Sequence, residues 1–331
     1  MKPVGQQHLT VKKNLLVDKD VVLFKETFKL PFSYQKMSPV IFSSGFTRDF
    51  LDEKIDSKKL EEKILKSFKS ISKKSDYTVV EGTGHLAVGS IAHLNNVRIA
   101  SMLGLEIVLI ATGGIGSTFD ELALCKSLCD SMNVKLKGVI LNRVLPNKKD
   151  LIVGYMKKAL ARWDCPLIGC IPYSRFLSTP TMKDFEVLFK APLLTGENYH
   201  FCHFETIRLV ATSLETFKEV CFPGQLLVTP ATRDDIILAV AEMQRHHPPK
   251  NASEPSDYGL ILTGRHPPSP KIIKELQKAD LPALYAPVST YDAMTMIASF
   301  TAKIRIEDNS KVQKAIEIVE KHLDFSYLLN N

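Results

Sequence analysis

Between residues 77 and 172, short apolar runs alternate with amphipathic stretches at a spacing that suits a layered α/β fold. Tyr77–Val80 is apolar and ends in Glu81-Gly82. Glu106–Ala111 is apolar and ends in Thr112-Gly113-Gly114-Ile115-Gly116-Ser117, Val134–Leu141 ends in Asn142-Arg143, and Leu167–Ile171 closes the series. Runs of this length, bounded by turn residues, read as strands buried on both faces. Between them, Asn96–Leu103 closed by Gly104, a stretch capped by Ser117 or Thr118 and running to Asp130, and Leu151–Trp163 read as helices. Strand–helix–strand repetition predicts a parallel sheet covered on both faces.

A second series starts near Gly224, after Phe222-Pro223. Strands are expected at Leu226–Thr229, Gly259–Thr263 and Ala283–Val288, and helices at Asp234–Gln244, Lys271–Lys278, Tyr291–Phe300 and Lys311–His322. The proline- and serine-rich His246–Ser256 reads as a solvent loop. Residues 175–223 have weak periodicity and read as helices linking two domains, 1–215 and 220–331, with no internal repeat.

At 331 residues and 45% hydrophobic content, the chain has enough apolar material for two cores. The net charge of +7, from 43 basic and 36 acidic residues, is scattered. Its densest cluster, Lys58, Lys59, Lys63, Lys66, Lys69, Lys73 and Lys74, alternates with Leu60, Ile64, Leu65 and Phe68 at helical spacing. That is the solvated face of an amphipathic helix rather than a nucleic-acid surface. No run reaches the ~18 apolar residues of a membrane helix. The first residues carry no continuous apolar segment, so a cytoplasmic protein is expected. Six cysteines form no CxxC pair, and Cys125 and Cys129, four apart, fit buried thiols in a reducing compartment. His200, Cys202 and His203 have no second pair at metal-ligand spacing.

Two glycine-rich turns lie at strand ends, where open α/β sheets bind ligands. Glu81-Gly82-Thr83-Gly84 offers a carboxylate beside closely approachable backbone, as a magnesium–phosphate site requires, and it serves equally as a turn needing positive φ. Thr112–Ser117, with Gly113, Gly114 and Gly116, is neither G-x-G-x-x-G nor a phosphate-binding loop, and reads equally as ligand contact or as a strand–helix turn. The Asn142 amide has the paired donor and acceptor that read a base edge. The pattern G-x-x-x-x-G-K-S/T does not occur in the 331 residues.

KPVGQ (2–6), Asp18-Lys19-Asp20, Ser38-Pro39-Val40, EGTGHLAVGS (81–90), LNNVRIA (94–100), GGIGSTFDEL (113–122), GVILNRV (138–144) and LIGCIPY (167–173) resemble, in this order, dethiobiotin synthetase and the N-terminal domain of long phosphotransacetylases. The tail, with GQLLVTPATRDDIILAV (224–240), LILTG (260–264) and VSTYDAMTMIA (288–298), resembles the DRTGG domain. The resemblance implies a dethiobiotin-synthetase-like P-loop fold over 1–215, lacking its first strand and Walker A segment, followed by a smaller α/β DRTGG domain. It implies Asp20 and Glu81 as magnesium ligands, Lys2 as the catalytic lysine near substrate, and Asn142 as the residue facing the purine. From their place at a strand end, Gly113, Gly114 and Gly116 are expected beside Asn142 as cofactor-binding residues.

Mg2+ and ATP are the family's cofactors. Because the family's phosphate loop precedes KPV, ATP use is not expected of this sequence. Loss of the central first strand implies an open ladder edge, on the order of 10 kcal/mol of unburied strand side chains. A truncated reading frame is the favoured explanation. After LILTG, Arg265-His266-Pro267-Pro268 replaces the family's glycine, at the expense of a ligand cleft. The expectation is a non-catalytic regulatory or interaction protein with a relic nucleotide site, homo-oligomeric through its DRTGG domain and binding neither nucleic acid nor membrane. An ATP-dependent ligase or amide synthase of the dethiobiotin or cobyrinate type is the alternative, should a phosphate loop lie upstream.

Overall fold

The computed structural model describes residues 1–11, 14–246 and 256–329. Residues 247–255 of the expected His246–Ser256 loop lie outside them. Contacts divide the chain into two compact units, Met1–Tyr173 with Ala315–Asn331, and Ser174–Lys314. Both are α/β with parallel sheets. Among the described residues, no helix is long and apolar enough to cross a membrane.

The first unit opens with β1 (Val4–Gly5), β2 (His8–Val11), β3 (Leu15–Asp18), α1 (Lys19–Thr27), α2 (Tyr34–Met37), β4 (Val40–Ile41), α3 (Phe46–Leu51) and α4 (Ser57–Ser72). It continues with α5 (Asn96–Leu103), β5 (Ile107–Thr112), α6 (Gly116–Ser131), β6 (Leu136–Val144), α7 (Lys149–Ala161) and β7 (Leu167–Pro172). β1 pairs parallel with β4, in the register Val4 to Val40 and Gly5 to Ile41. β2 and β3 form an antiparallel hairpin. β5, β6 and β7 form a separate parallel sheet in that order.

Tyr77–Val80, expected as a strand, is not one. Its ladder is limited to the Met1 nitrogen donating to the Val79 carbonyl (2.8 Å) and the Glu81 amide donating to the Met1 carbonyl (2.9 Å). Two such bonds hold the segment extended without regular pairing. The edge of β5 opposite β6 carries no strand among the described residues. Ile110 on β5 is 68% exposed and Val79 is 69% exposed, so apolar side chains face outward on this side of the sheet.

Apolar spacing explains the helices. In α4, Ile64 and Ile71 are buried while Lys58, Lys59, Lys63, Lys66 and Lys69 are exposed, so the basic cluster is the helix's solvent side. α5 ends at Gly104 in the left-handed conformation that glycine adopts without strain. α6 is not capped as expected. Its N-cap is Ile115, without a side-chain bond, because the Thr118 hydroxyl instead donates to the Thr112 carbonyl (3.1 Å) inside the turn. β6 runs three residues beyond the expected Leu141, so Asn142 and Arg143 lie within it, and Arg143 has φ 59° where the register against β7 breaks. The core beneath this sheet is built from Leu109, Leu122, Val139, Leu141, Met156 and Leu160.

The second unit contains α8 (Arg175–Ser178), α9 (Met182–Phe189), β8 (Leu193–Thr195), β9 (Thr206–Leu209), α10 (Leu214–Val220), β10 (Gln225–Pro230) and α11 (Asp234–His246). β11 (Tyr258–Thr263), α12 (Pro270–Lys278), β12 (Ala283–Ala286), α13 (Thr290–Ser299) and the start of α14 (Asn309–His322) follow. Its sheet has the order β8-β12-β11-β10-β9, parallel except for β8.

Residues 175–223 are therefore not a helical link. They supply both edge strands of this sheet, and a boundary at 215–220 would fall between the paired strands β9 and β10. β8 and β9, at three and four residues, are too short to show a strand period in the sequence. One face of the sheet is covered by Met182, Phe185, Phe204 and Ile297. The other is covered by Phe217, Ile236, Ile237, Val240, Ile272 and Leu276. Gly259 is required at its place in β11, since a Cβ there would come within 2.9 Å of the Phe204 ring.

Residues up to Lys314 stay with this unit through buried ions. Arg305 donates to Asp184 (2.9 Å), and Lys311 donates to the Thr179 carbonyl (2.6 Å). His203 lies 3.3 Å from Asp308, and His200 bonds Glu186 (2.8 Å), which accounts for the two histidines flanking Cys202. All six cysteines are free thiols.

The fully buried Met182, Phe185 and Phe204 each contribute ~1.5–3 kcal/mol, against a typical domain stability of ~5–15 kcal/mol. A fragment of residues 174–314 is accordingly expected to melt cooperatively, and one of residues 218–331, lacking those side chains and both edge strands, is not. Circular dichroism melts of the two fragments check this, and a cooperative transition in 218–331 at the same temperature would contradict it.

Candidate functional site

The extended chain at residues 1–5 runs between two neighbours. On one side the Lys2 amide donates to the Met37 carbonyl (2.8 Å) and the Phe42 amide to Gly5 (2.8 Å). On the other are the bonds to Val79 and Glu81, and the Thr83 hydroxyl donates to the Val4 carbonyl. Fixed at both sides, Lys2 is 6% exposed and must find its charge partners locally.

It finds three. Lys2 Nζ hydrogen-bonds Asp20 Oδ2 and lies 3.4 Å from both Asp18 Oδ1 and Glu81 Oε1. Asp18 ends β3 and caps α1, accepting the Asp20 amide (3.0 Å), while its own amide donates to the Ser38 hydroxyl (3.2 Å). That cap projects Asp20 from the first turn of α1. Gly5 is required opposite, since a Cβ there would reach Asp18 Oδ2 at 2.6 Å.

The electrostatics follow from burial and these contacts. Burial pulls the Lys2 ammonium down, but the Asp20 hydrogen bond and the charges of Glu81, Asp20 and Asp18 outweigh it and leave its pKa above the ordinary value. Burial raises the Glu81 carboxyl, and Lys2 opposes that rise only in part. Glu81 Oε2 is buried without a hydrogen-bond partner.

Glu81 sits on a loop fixed by Asn96. The Asn96 Oδ1 accepts the Thr83 amide (3.1 Å), and its Nδ2 donates to the carbonyls of Thr83 (3.0 Å) and His85 (3.0 Å). Gly82 lets this amide approach, since a Cβ would stand 2.8 Å from Asn96 Cγ, and Gly84 supplies φ +60°. Asp18 and Asn96 are the site residues that sequence reasoning missed. Asp18 stood inside the quoted Asp-Lys-Asp pattern, and Asn96 read only as a helix start.

The fold brings Lys2, Asp20 and Glu81 together. Asn142 and the glycines of the second turn form another locus, with no hydrogen bond or ion pair joining it to Lys2 among the described residues. There the Gly113 amide donates to the Asn142 carbonyl (2.9 Å), and the Asn142 side-chain oxygen accepts the Arg143 amide (2.9 Å). Gly113 has a packing reason, since a Cβ would lie 2.7–2.8 Å from Val144, whereas Gly116 has open space around it.

Asp20 and Glu81 fit a magnesium ion in kind: both are oxygen donors, and one oxygen of Glu81 is orphaned. Asp18 is already committed to its cap. What stands among them is an ammonium.

Asn96→Ala removes three hydrogen bonds from the Glu81 loop. A loss of ~1–3 kcal/mol of stability is expected, with faster amide exchange at Thr83 read by mass spectrometry. Unchanged exchange there would show that the clamp does not hold the loop.

Comparison with known proteins agrees with this architecture. A phosphate acetyltransferase of Pseudomonas aeruginosa is 27% identical over 284 residues, covering 81% of this chain and 39% of that protein. One of Nitrosomonas europaea is 25% identical over 333 residues, covering 97% and 45%. An ATP-dependent dethiobiotin synthetase of Clostridium perfringens is 29% identical over 152 residues, covering 45% and 65%. The chain thus spans under half the length of the phosphate acetyltransferases it matches. A DRTGG domain matches residues 188–300. With an AAA domain matched over residues 1–181, more than half its length, the chain belongs to the AAA_26 family, joined here to a DRTGG domain.

Proposed function

We propose that this chain is a regulatory, nucleotide-related protein of the phosphotransacetylase type that binds at the Lys2–Asp20–Glu81 site without turning substrate over. The observation that carries the reading is the seating of the Lys2 ammonium between the carboxylates of Asp18, Asp20 and Glu81. In this reading the ammonium occupies the place among the carboxylates that a metal–phosphate pair would take for turnover.

In this reading Asp20 and Glu81 are the residues that would hold magnesium, whose role when bound is to neutralise phosphate oxygens. Lys2 meets the anionic part of a ligand. Asn142 spends its side-chain oxygen on the Arg143 amide, which leaves its Nδ2 for a purine edge. Gly113, Gly114 and Gly116 keep the neighbouring backbone approachable. Self-association of the DRTGG unit in a cytoplasmic setting belongs to the same reading, supported by the edge of β9 that carries no second strand among the described residues. Acetyl transfer is not assigned to the region matched here.

A second reading, an ATP-dependent ligase or amide synthase, is favoured by the 29% identity to the dethiobiotin synthetase of Clostridium perfringens. There Lys2 would touch substrate.

Phosphate release from ATP and from GTP, with magnesium present, separates the two. The first reading expects no turnover above background. Turnover that disappears in Glu81→Gln refutes it and supports the second.

A further inference from the structure

Lys2 and a magnesium ion would seek the same oxygens. The ammonium bonds Asp20 Oδ2 and stands at 3.4 Å from Glu81 Oε1, the two carboxylates assigned to the metal. A magnesium ion requires its oxygens at ~2.0–2.1 Å and tolerates little distortion. An ammonium and a dication on one carboxylate pair also repel each other directly. The two cations therefore exclude one another at this spot unless one moves.

What can move is narrowly defined. The Lys2 backbone is tied by its amide to Met37, and the next residues pair with β4. Asp18 is locked as the α1 cap, and the Glu81 loop is locked by Asn96. The four-carbon stem of Lys2, buried but tied by no hydrogen bond along its length, is the element left to turn, and a lysine head is a compact point charge on a flexible stem rather than a rigid fork. Glu81 Oε2, buried and unpartnered, is a ligand oxygen that the ammonium leaves unused.

We propose that Lys2 is a resident counter-ion competing with the divalent cation for Asp20 and Glu81, so that the metal enters as Nζ is drawn away. An anionic ligand carrying phosphate or carboxylate would draw it, which couples cation binding to anion binding through one side chain. The inference rests on the assignment of Asp20 and Glu81 to the metal.

The test uses the full chain and Mn2+ alone, titrated by electron paramagnetic resonance without nucleotide. Lys2→Met is expected to bind Mn2+ at least about tenfold more tightly than the native chain. Lys2→Arg, which keeps the charge, should stay as weak as native, and Glu81→Gln added to Lys2→Met should lose the gain. Equal affinity of native chain and Lys2→Met overturns the competition while leaving the metal assignment standing. Binding by neither, even at millimolar Mn2+, overturns the assignment and the inference with it. Should Lys2→Met fail to fold alone, because three carboxylates lose their counter-charge, Mn2+ present during refolding is expected to restore a cooperative melt. A variant that Mn2+ does not restore also overturns the proposal.

Discussion

An ammonium held at 6% exposure is tenable only where carboxylates are already in place around it. In this chain that condition organises the first half of the first unit. The carboxylates come from the end of β3 and the first turn of α1, which adjoin in sequence, and from the loop after Val80, far along the chain. Each must be positioned by its own local device: the hairpin and Ser38 for Asp18, the helix cap for Asp20, and the Asn96 amide for Glu81. Weakening any one leaves the ammonium short of charge and the remaining carboxylates short of a counter-ion. The cluster sets three carboxylates against one ammonium, so a cation entering as that ammonium moves away meets carboxylates left without a counter-charge.

The glycines illustrate how a functional-looking pattern and a packing requirement converge. Gly82 admits Asn96, Gly5 admits Asp18 and Gly113 admits Val144, each at a distance that a Cβ would violate. Of the residues in the two turns, only Gly84 needs its left-handed backbone. Gly113 would thus be kept by packing whether or not a ligand ever approached. Gly116, with nothing near the position of a Cβ, is the one glycine of that turn whose presence packing does not explain.

What could be read from the sequence follows how much signal each element carries. β5, β6, β7, β10 and β11, short apolar runs ended by turn residues, were found within a few positions, as were the helices with apolar stripes. Segments whose structure comes from distant partners were not. Tyr77–Val80 looks like a strand but gains only the two bonds to Met1, and β8 and β9 are strands only because β12 and β10 lie beside them. In the site, the motif resemblance pointed to Lys2, Asp20 and Glu81, which the fold does bring together. Asp18 and Asn96 were missed because a cap and an amide clamp leave no periodic trace, and Asn142, in sequence a strand end, lies inside β6.

A buried lysine is not by itself a site, as the comparison of Lys2 with Lys311 makes plain. Burial pushes the Lys311 ammonium below its ordinary value, with Asp308 and Asp184 opposing the shift and Arg305 adding to it. Its Nζ is spent on the Thr179 carbonyl, and Asp184 is already taken by Arg305. Such an arrangement pins α14 in place and has no carboxylate oxygen to offer. Around Lys2 the balance is reversed: the carboxylates outnumber the ammonium, hold its pKa above the ordinary value, and keep Glu81 Oε2 unpartnered. The first arrangement closes on itself, whereas the second is completed only by something that brings positive charge to Glu81 or negative charge to Lys2.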